Sequence, residues 1–300
     1  MRNTLQGPSR RQMIGGAAAM GVAVLLPAGR ASAAQGGNGV TERLRALEQQ
    51  HGARLGVYAH AADSGRTVRH RADELFPLCS TFKTLAVAAV LRDLDGPLDR
   101  VIHYTAQEAS DSGHAPVTGD PKNVASGLTI EQLCDATIRF SDNCAANLLL
   151  RELGGPEAVT RLCRSLGDRV TRLDRWEPAL NSAEPGRVTD TTSPRALART
   201  NAKLVTGRAL DRADRERLTA WLLGNTTGDE RLRAGLPKDW RVAEKTGTGA
   251  YGTANDAGVA WPPGRGPVAI TVLTTHQDPK ATADAPLIAA AAAIVAEALA

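Results

Sequence analysis

The sequence predicts an α/β fold. An antiparallel sheet flanked by N- and C-terminal helices is joined to an all-α domain, with the functional residues at their interface. Three observations predict it. Strand-like alternation clusters at both ends of the chain, at residues 54–60 and 67–71 and again at 241–248, 254–261 and 268–275. Helical runs open and close the chain at 41–50 and 286–299. The long middle carries helical periodicity almost without strands. The expected division is a discontinuous α/β domain, 34–71 with 224–300, and an all-α domain, 72–223.

The elements follow in order. Residues 41–50 read as an amphipathic helix capped by Thr41. Asp63-Ser64-Gly65 is a hairpin turn between the first two strands. Residues 80–94 form an apolar helical run stopped by Asp95-Gly96-Pro97. Further helices fit 129–140, 144–153, 156–166, 194–205 and 211–223. Residues 171–192 are different: polar, interrupted by Pro178, Pro185 and Gly186, and without a period. A segment that long without regular structure inside a folded domain is usually functional or disordered.

With 300 residues the chain is long enough for a large core. Aromatic residues make up 3%, which offers little for stacking on nucleic acid. Ser9-Arg10-Arg11-Gln12-Met13-Ile14, the apolar stretch 15–26 and Ala31-Ser32-Ala33 read as a twin-arginine export signal, cleaved after 33. The apolar stretch is too short to span a membrane comfortably. Residues 1–33 hold four arginines and no acid, so the remainder has 32 basic and 32 acidic residues and no net charge to attract a polyanion. The expectation is an exported monomer, secreted or periplasmic, with no stable membrane association and no nucleic-acid partner. Cys79, Cys134, Cys144 and Cys163 have no metal-site spacing, and export of a folded protein from a reducing cytoplasm favours free, buried thiols. The six histidines are dispersed, so neither a metal nor another cofactor is expected.

Four short segments carry the chemistry. In Ser80-Thr81-Phe82-Lys83, Ser80 and Lys83 share a helix face near its N-terminus, where free N–H groups favour negative charge. Ser80 is the candidate nucleophile, its own N–H an oxyanion donor, and Lys83 a base if its surroundings lower its pKa. In Ser141-Asp142-Asn143, Ser141 is a candidate proton relay, Asn143 a hydrogen-bonding partner for substrate amides, and Asp142 the brace of the turn. The same residues would equally serve as a plain turn and helix cap. In Lys245-Thr246-Gly247-Thr248, on a strand, Lys245, Thr246 and Thr248 suit a substrate carboxylate, and the Thr248 N–H an oxyanion. Alternation places Lys245 on the opposite face from both threonines. A plain edge strand with a protective lysine is the simpler alternative. The fourth segment is Glu177-Pro178-Ala179-Leu180-Asn181, within the long aperiodic stretch. Lysine is used only at six positions against 30 arginines. A titratable amine resists replacement by arginine, and two of the six fall in these motifs.

Over essentially its whole length after the signal, the chain resembles the class A serine β-lactamases. Arg175-Trp176-Glu177-Pro178-Ala179-Leu180-Asn181 is similar to that family's Ω-loop, here 174–190, with Arg175 and Asp190 closing it. Trp240 is similar to the aromatic before the Lys-Thr-Gly strand. The resemblance implies a β-lactam substrate opened by Ser80 into an acyl-enzyme. It also implies a deacylating water activated by Glu177 and held by Asn181, with Glu177 or Lys83 as acylation base. Arg231, with Arg233 as the nearby alternative, is implied in carboxylate binding, and His114 lies at a pocket-rim position. The chain departs from relatives with disulfides: Val87 stands opposite Cys134, and Gly249 where a partner for Cys79 would be. A D-alanyl-D-alanine peptidase, or a sensor that stays acylated, shares the other three motifs but would not need Glu177.

Overall fold

The computed structural model describes residues 29–299. The twin-arginine motif and the apolar run after it lie outside the described residues. Helix α1 (Gly29–His51) continues well before the expected start, so Thr41 lies inside it and is not its cap. Leu44, buried against the sheet, and the neighbouring Val40 and Leu47 dock this helix. Tertiary packing of an apolar stripe outweighs a local cap signal.

The chain then enters β1 (Arg54–Ala61) and β2 (Thr67–His70), an antiparallel hairpin. A two-residue strand, β3 (Phe76–Pro77), leads into a tight 3₁₀ turn, Cys79–Thr81, and then into α2 (Phe82–Asp93). The expected single helix from Ser80 is thus a turn followed by a helix. Residues 82–90 of α2 are buried on every side, as a run without a polar face demands. Gly96, at φ +104°, turns the chain away after it.

Next come β4 (Val101–Ile102), α3 (Ala106–Asp111), α4 (Pro121–Ser126) and β5 (Leu128–Thr129). Both helices are too short to show a periodic pattern, and neither is expected from the sequence. Helix α5 (Ile130–Arg139) starts in a capping box between Thr129 and Gln132. Helix α6 (Asn143–Glu152) is capped by Asp142 and followed by α7 (Glu157–Ser165). The aperiodic stretch holds a 3₁₀ turn, Ala179–Ser182, and ends in β6 (Thr191–Thr192), which pairs with β3. Helices α8 (Pro194–Val205), α9 (Arg212–Leu223) and the single turn α10 (Leu232–Gly235) complete the middle.

Three strands follow, β7 (Arg241–Thr248), β8 (Ala254–Trp261) and β9 (Val268–Thr275), over the residues the alternation predicts. The five-stranded sheet runs β2-β1-β9-β8-β7 with every pair antiparallel. Helix α11 (Ala285–Leu299) packs with α1 on one face, over Leu55, Val57, Ile270 and Val272. The other face, including Ala243, Ala257, Val259 and Leu273, joins the core built around α2. Strand β7 is a free edge of the sheet, and it meets the turn that begins α2.

Candidate active site

The approach of β7 to that turn sets the site. A Cβ added at Gly247 would lie 3.0 Å from the Leu78 carbonyl and 3.2 Å from the Ser80 nitrogen. Glycine there lets the strand backbone pass against the start of the helix. Asn255 on β8 ties the same turn down, its Nδ2 donating to the Pro77 and Leu78 carbonyls at 2.8 and 3.1 Å. Cys79 sits at φ +45° and presents Ser80 at the mouth of the turn, 8% exposed. The Ser80 hydroxyl donates to Glu177 Oε1 at 3.4 Å.

Lys83, in the first turn of α2, is completely buried. Its Nζ donates to the Ser141 carbonyl at 2.7 Å, Ser141 Oγ at 3.3 Å and Asn143 Oδ1 at 2.6 Å. Burial pushes its amine below the usual lysine range, and the Glu177 carboxylate beside it opposes that shift.

Ser141 adopts φ +55°, a conformation a serine holds only under constraint. Its carbonyl is fixed by Lys83, and its hydroxyl accepts from Lys245 Nζ at 3.1 Å. The next residue, Asp142, is buried and accepts from the backbone of Val117, Thr118 and Ala145 and from the Thr118 hydroxyl. It therefore both caps α6 and anchors the 117–118 segment. Asn143 extends the brace, its Nδ2 donating to the Ser112 carbonyl and its backbone N–H to that of His114. His114 is exposed at the rim, its Nε2 3.3 Å from the Phe140 carbonyl.

Glu177 lies on a loop closed by Arg175 and Asp190. The guanidinium of Arg175 bonds Asp190 Oδ2, while Asp190 Oδ1 accepts the N–H groups of Asp174 and Arg175. Asn181 donates its amide to Glu177 Oε2. The peptide of Glu177 is held from the other side by Asn147: Asn147 Oδ1 accepts its N–H at 3.0 Å and Asn147 Nδ2 donates to its carbonyl at 2.9 Å. Sequence reasoning missed Asn147. Its position four residues after Asn143, on the same helix face, is the signal that points to it.

On β7, Lys245 is fully buried and also donates to the Thr246 carbonyl at 3.0 Å. Strand alternation places it with Ala243 on the face that joins the α2 core, opposite the threonines, and there its Nζ reaches Ser141. It is not a solvated edge lysine. Burial and the neighbouring Lys83 charge bring it down to about 7. Thr246 shares a hydrogen bond with Thr227. Arg231 donates to the Gly247 and Asn255 carbonyls, both at 2.8 Å, and to Thr248 Oγ1 at 2.7 Å. Arg233 turns away, bonding the carbonyls of Asn225, Leu222, Leu223 and Val242. The structure thus gathers Ser80, Lys83, Ser141, Asn143, Glu177, Asn181 and Lys245 in one hydrogen-bonded group, with Arg231 and Thr248 linked at its β7 end. Among the described residues no His, Cys, Asp and Glu side chains cluster as a metal site.

All four cysteines are free and buried. Burial raises Cys144 to about 11 and pushes Cys79, Cys134 and Cys163 well up. A Cβ at Gly249 would lie 2.7 Å from Cys79 Sγ, so the thiol packs against the glycine.

Residues 39–299 match the model of the "Beta-lactamase enzyme family". A β-lactamase from Streptomyces lavendulae is 62% identical over 304 residues, covering all of both chains. One from Streptomyces fradiae is 60% identical, covering all of this chain and 99% of that one. The solved structure of a β-lactamase from Streptomyces albus G is 62% identical with a TM-score of 0.85, over 86% of this chain and 98% of the other. A family model matched over most of the chain, and relatives this similar over its whole length, settle the assignment: the chain belongs to the β-lactamase enzyme family, as a class A serine β-lactamase.

Proposed function

We propose that this β-lactamase is exported by the twin-arginine route and acts as a monomer outside the cytoplasmic membrane. There it hydrolyses penicillins, and some cephalosporins, as an antibiotic-resistance enzyme. Ser80 attacks the β-lactam carbonyl, and the N–H groups of Ser80 and Thr248 receive the oxyanion. Lys245, Thr246, Thr248 and Arg231 bind the substrate carboxylate, Asn143 its side-chain amide, and His114 lines the rim. The nucleophile's proton passes to Glu177 or to Lys83, and Ser141, between the two lysines, relays a proton to the leaving nitrogen. Glu177 then activates the water that hydrolyses the ester on Ser80. Asn181 keeps its Oδ1 without a protein partner, an acceptor for a water shared by both side chains.

The observation that carries this reading is Glu177, buried and 3.4 Å from the Ser80 hydroxyl. A carboxylate there serves hydrolysis of an ester on Ser80. An enzyme that only captures penicillin has no use for it. In Glu177→Ala, mass spectrometry should find the penicilloyl ester accumulating on Ser80 while turnover falls about 10²–10⁴-fold. Steady-state hydrolysis at the parent rate would defeat the assignment.

A further inference from the structure

Behind the carboxylate end of the pocket lie two acids to which the proposed reaction gives no task. Glu244 on β7 and Asp256 on β8 are both completely buried. In the ladder Glu244 stands opposite Gly258, and Thr246 opposite Asp256. Period-two alternation therefore puts both carboxyls on one face of the sheet as diagonal neighbours. Nothing but hydrogen projects from Gly258, and a Cβ at Gly228 would come 1.8 Å from Glu244 Oε1, so two glycines make room for the acid.

Each carboxyl has one oxygen satisfied and one orphaned. Glu244 Oε1 accepts from Asn225 Nδ2 at 2.9 Å and lies 3.3 Å from Arg233 Nη2. Asp256 Oδ2 accepts the Leu232 N–H at 3.1 Å. Glu244 Oε2 and Asp256 Oδ1, both buried, have no donor. Two ionised carboxylates with orphan oxygens in a dry site are strongly unfavourable. A proton on one of them supplies the missing donor for the other.

We propose that Glu244 and Asp256 hold one proton between them, forming a carboxylic acid–carboxylate pair whose single negative charge is the counter-charge behind Lys245 and whose contact with Leu232 orders the chain beside Arg231. Asp256 is pushed well above the ordinary carboxylate range by burial and by the Glu244 charge. The charged groups facing the pair are Arg233, itself shared with the exposed Asp229, Arg231 across β8, and Lys245 from the other face of β7. Glu244 and Asp256 each favour the protonated form of Lys245. The two acids are positioning residues: they act on the substrate carboxylate only through Lys245 and Arg231.

One shared proton has a signature that a merely structural pair lacks. Glu244→Gln leaves Asp256 to carry the charge, and Asp256→Asn leaves Glu244 to carry it. Only the double variant removes it. Infrared spectroscopy at pH 7 should show a carboxylic-acid C=O stretch in the parent that vanishes in either single variant. The alkaline limb of kcat/KM that reports Lys245 should stay in place in both single variants and move down by about one pH unit or more in the double. A parent without the acid band would overturn the proposal. So would single variants that each lower the limb and sum in the double, because that is the behaviour of two independent carboxylates. Should the double variant not fold, Glu244→Gln decides alone: the limb holds for a shared proton and falls for two charges. The kinetic readout rests on the carboxylate-binding role proposed for Lys245, whereas the infrared band does not. An acid band with no limb at all would therefore sink that role and leave the shared proton standing.

Discussion

Lys83 Nζ lies 3.3 Å from Glu177 Oε1, and both side chains are sealed from solvent. Bringing an ammonium and a carboxylate out of water costs several kcal/mol per ion unless each is well partnered. Lys83 has three acceptors besides Glu177, two on Ser141 and one on Asn143. Burial, the largest influence on this amine, lowers its pKa, so charged and neutral forms are brought closer in energy. A proton can then move between Ser80, Glu177, Lys83 and Ser141 without any group leaving its place.

Lys83→Arg tests whether that exchange matters. Guanidinium keeps the positive charge but effectively never gives up its proton. Acylation by a penicillin, followed as the pre-steady-state burst, should slow about 10²–10⁴-fold. An unchanged burst would remove Lys83 from the proton path.

The pH dependence should report Lys245. Its amine titrates near 7 in the folded free enzyme and near 10.4 in the unfolded chain. In the proposed binding mode the substrate carboxylate needs the charged form, so KM should rise as pH climbs through about 7 while kcat changes little. Lys245→Arg should flatten that limb. Stability follows the opposite sign. Between pH 7 and about 10.4 the unfolded chain binds the extra proton, so this residue adds stability as pH rises through that window, and its penalty is fully present below 7. Denaturant titrations of parent and Lys245→Met across the window should diverge accordingly. Parallel curves would contradict the assignment.

Asn147→Ala should separate the two chemical steps. Its two hydrogen bonds hold only the peptide of Glu177. Freeing that peptide lets the carboxylate drift, and a misplacement of about 1 Å costs roughly 10²-fold. Deacylation should slow by about that factor with acylation largely kept. Equal loss in both steps would instead point to general disruption of the helix.

Thiol chemistry checks the cysteines. All four are free in the fold, and their raised pKa values keep them as unreactive thiols. Titration should find none accessible in the native enzyme and four after unfolding without reductant. A count of two or fewer on unfolding would require a disulfide.

Much of the architecture was legible in the order of residues because it is local. Period-two alternation marked β7, β8 and β9 to their ends, and the Ser141-Asp142-Asn143 turn marked the start of α6, where Asp142 accepts from a backbone N–H. Helix α3, at six residues, escaped because one turn and a half shows no period, and α1 outran its expected cap because packing on the sheet carries it further.

The sequence by itself determined where the long strands and most of the long helices form, and which residue types are available for the chemistry. Ser80, Ser141, Glu177 and Lys245 could be chosen from it because their motifs are short and continuous. Only the tertiary structure decided their charge states and partners. Lys245 meets Ser141 across 104 residues, Asn147 meets Glu177 across 30, and Arg231 rather than Arg233 turns toward Thr248. Glu244 and Asp256 are ordinary acids in sequence and become a pair only when β7 and β8 are aligned and water is excluded. The physical reason is that burial and Coulomb interactions depend on which distant groups converge, and convergence is a property of the folded chain.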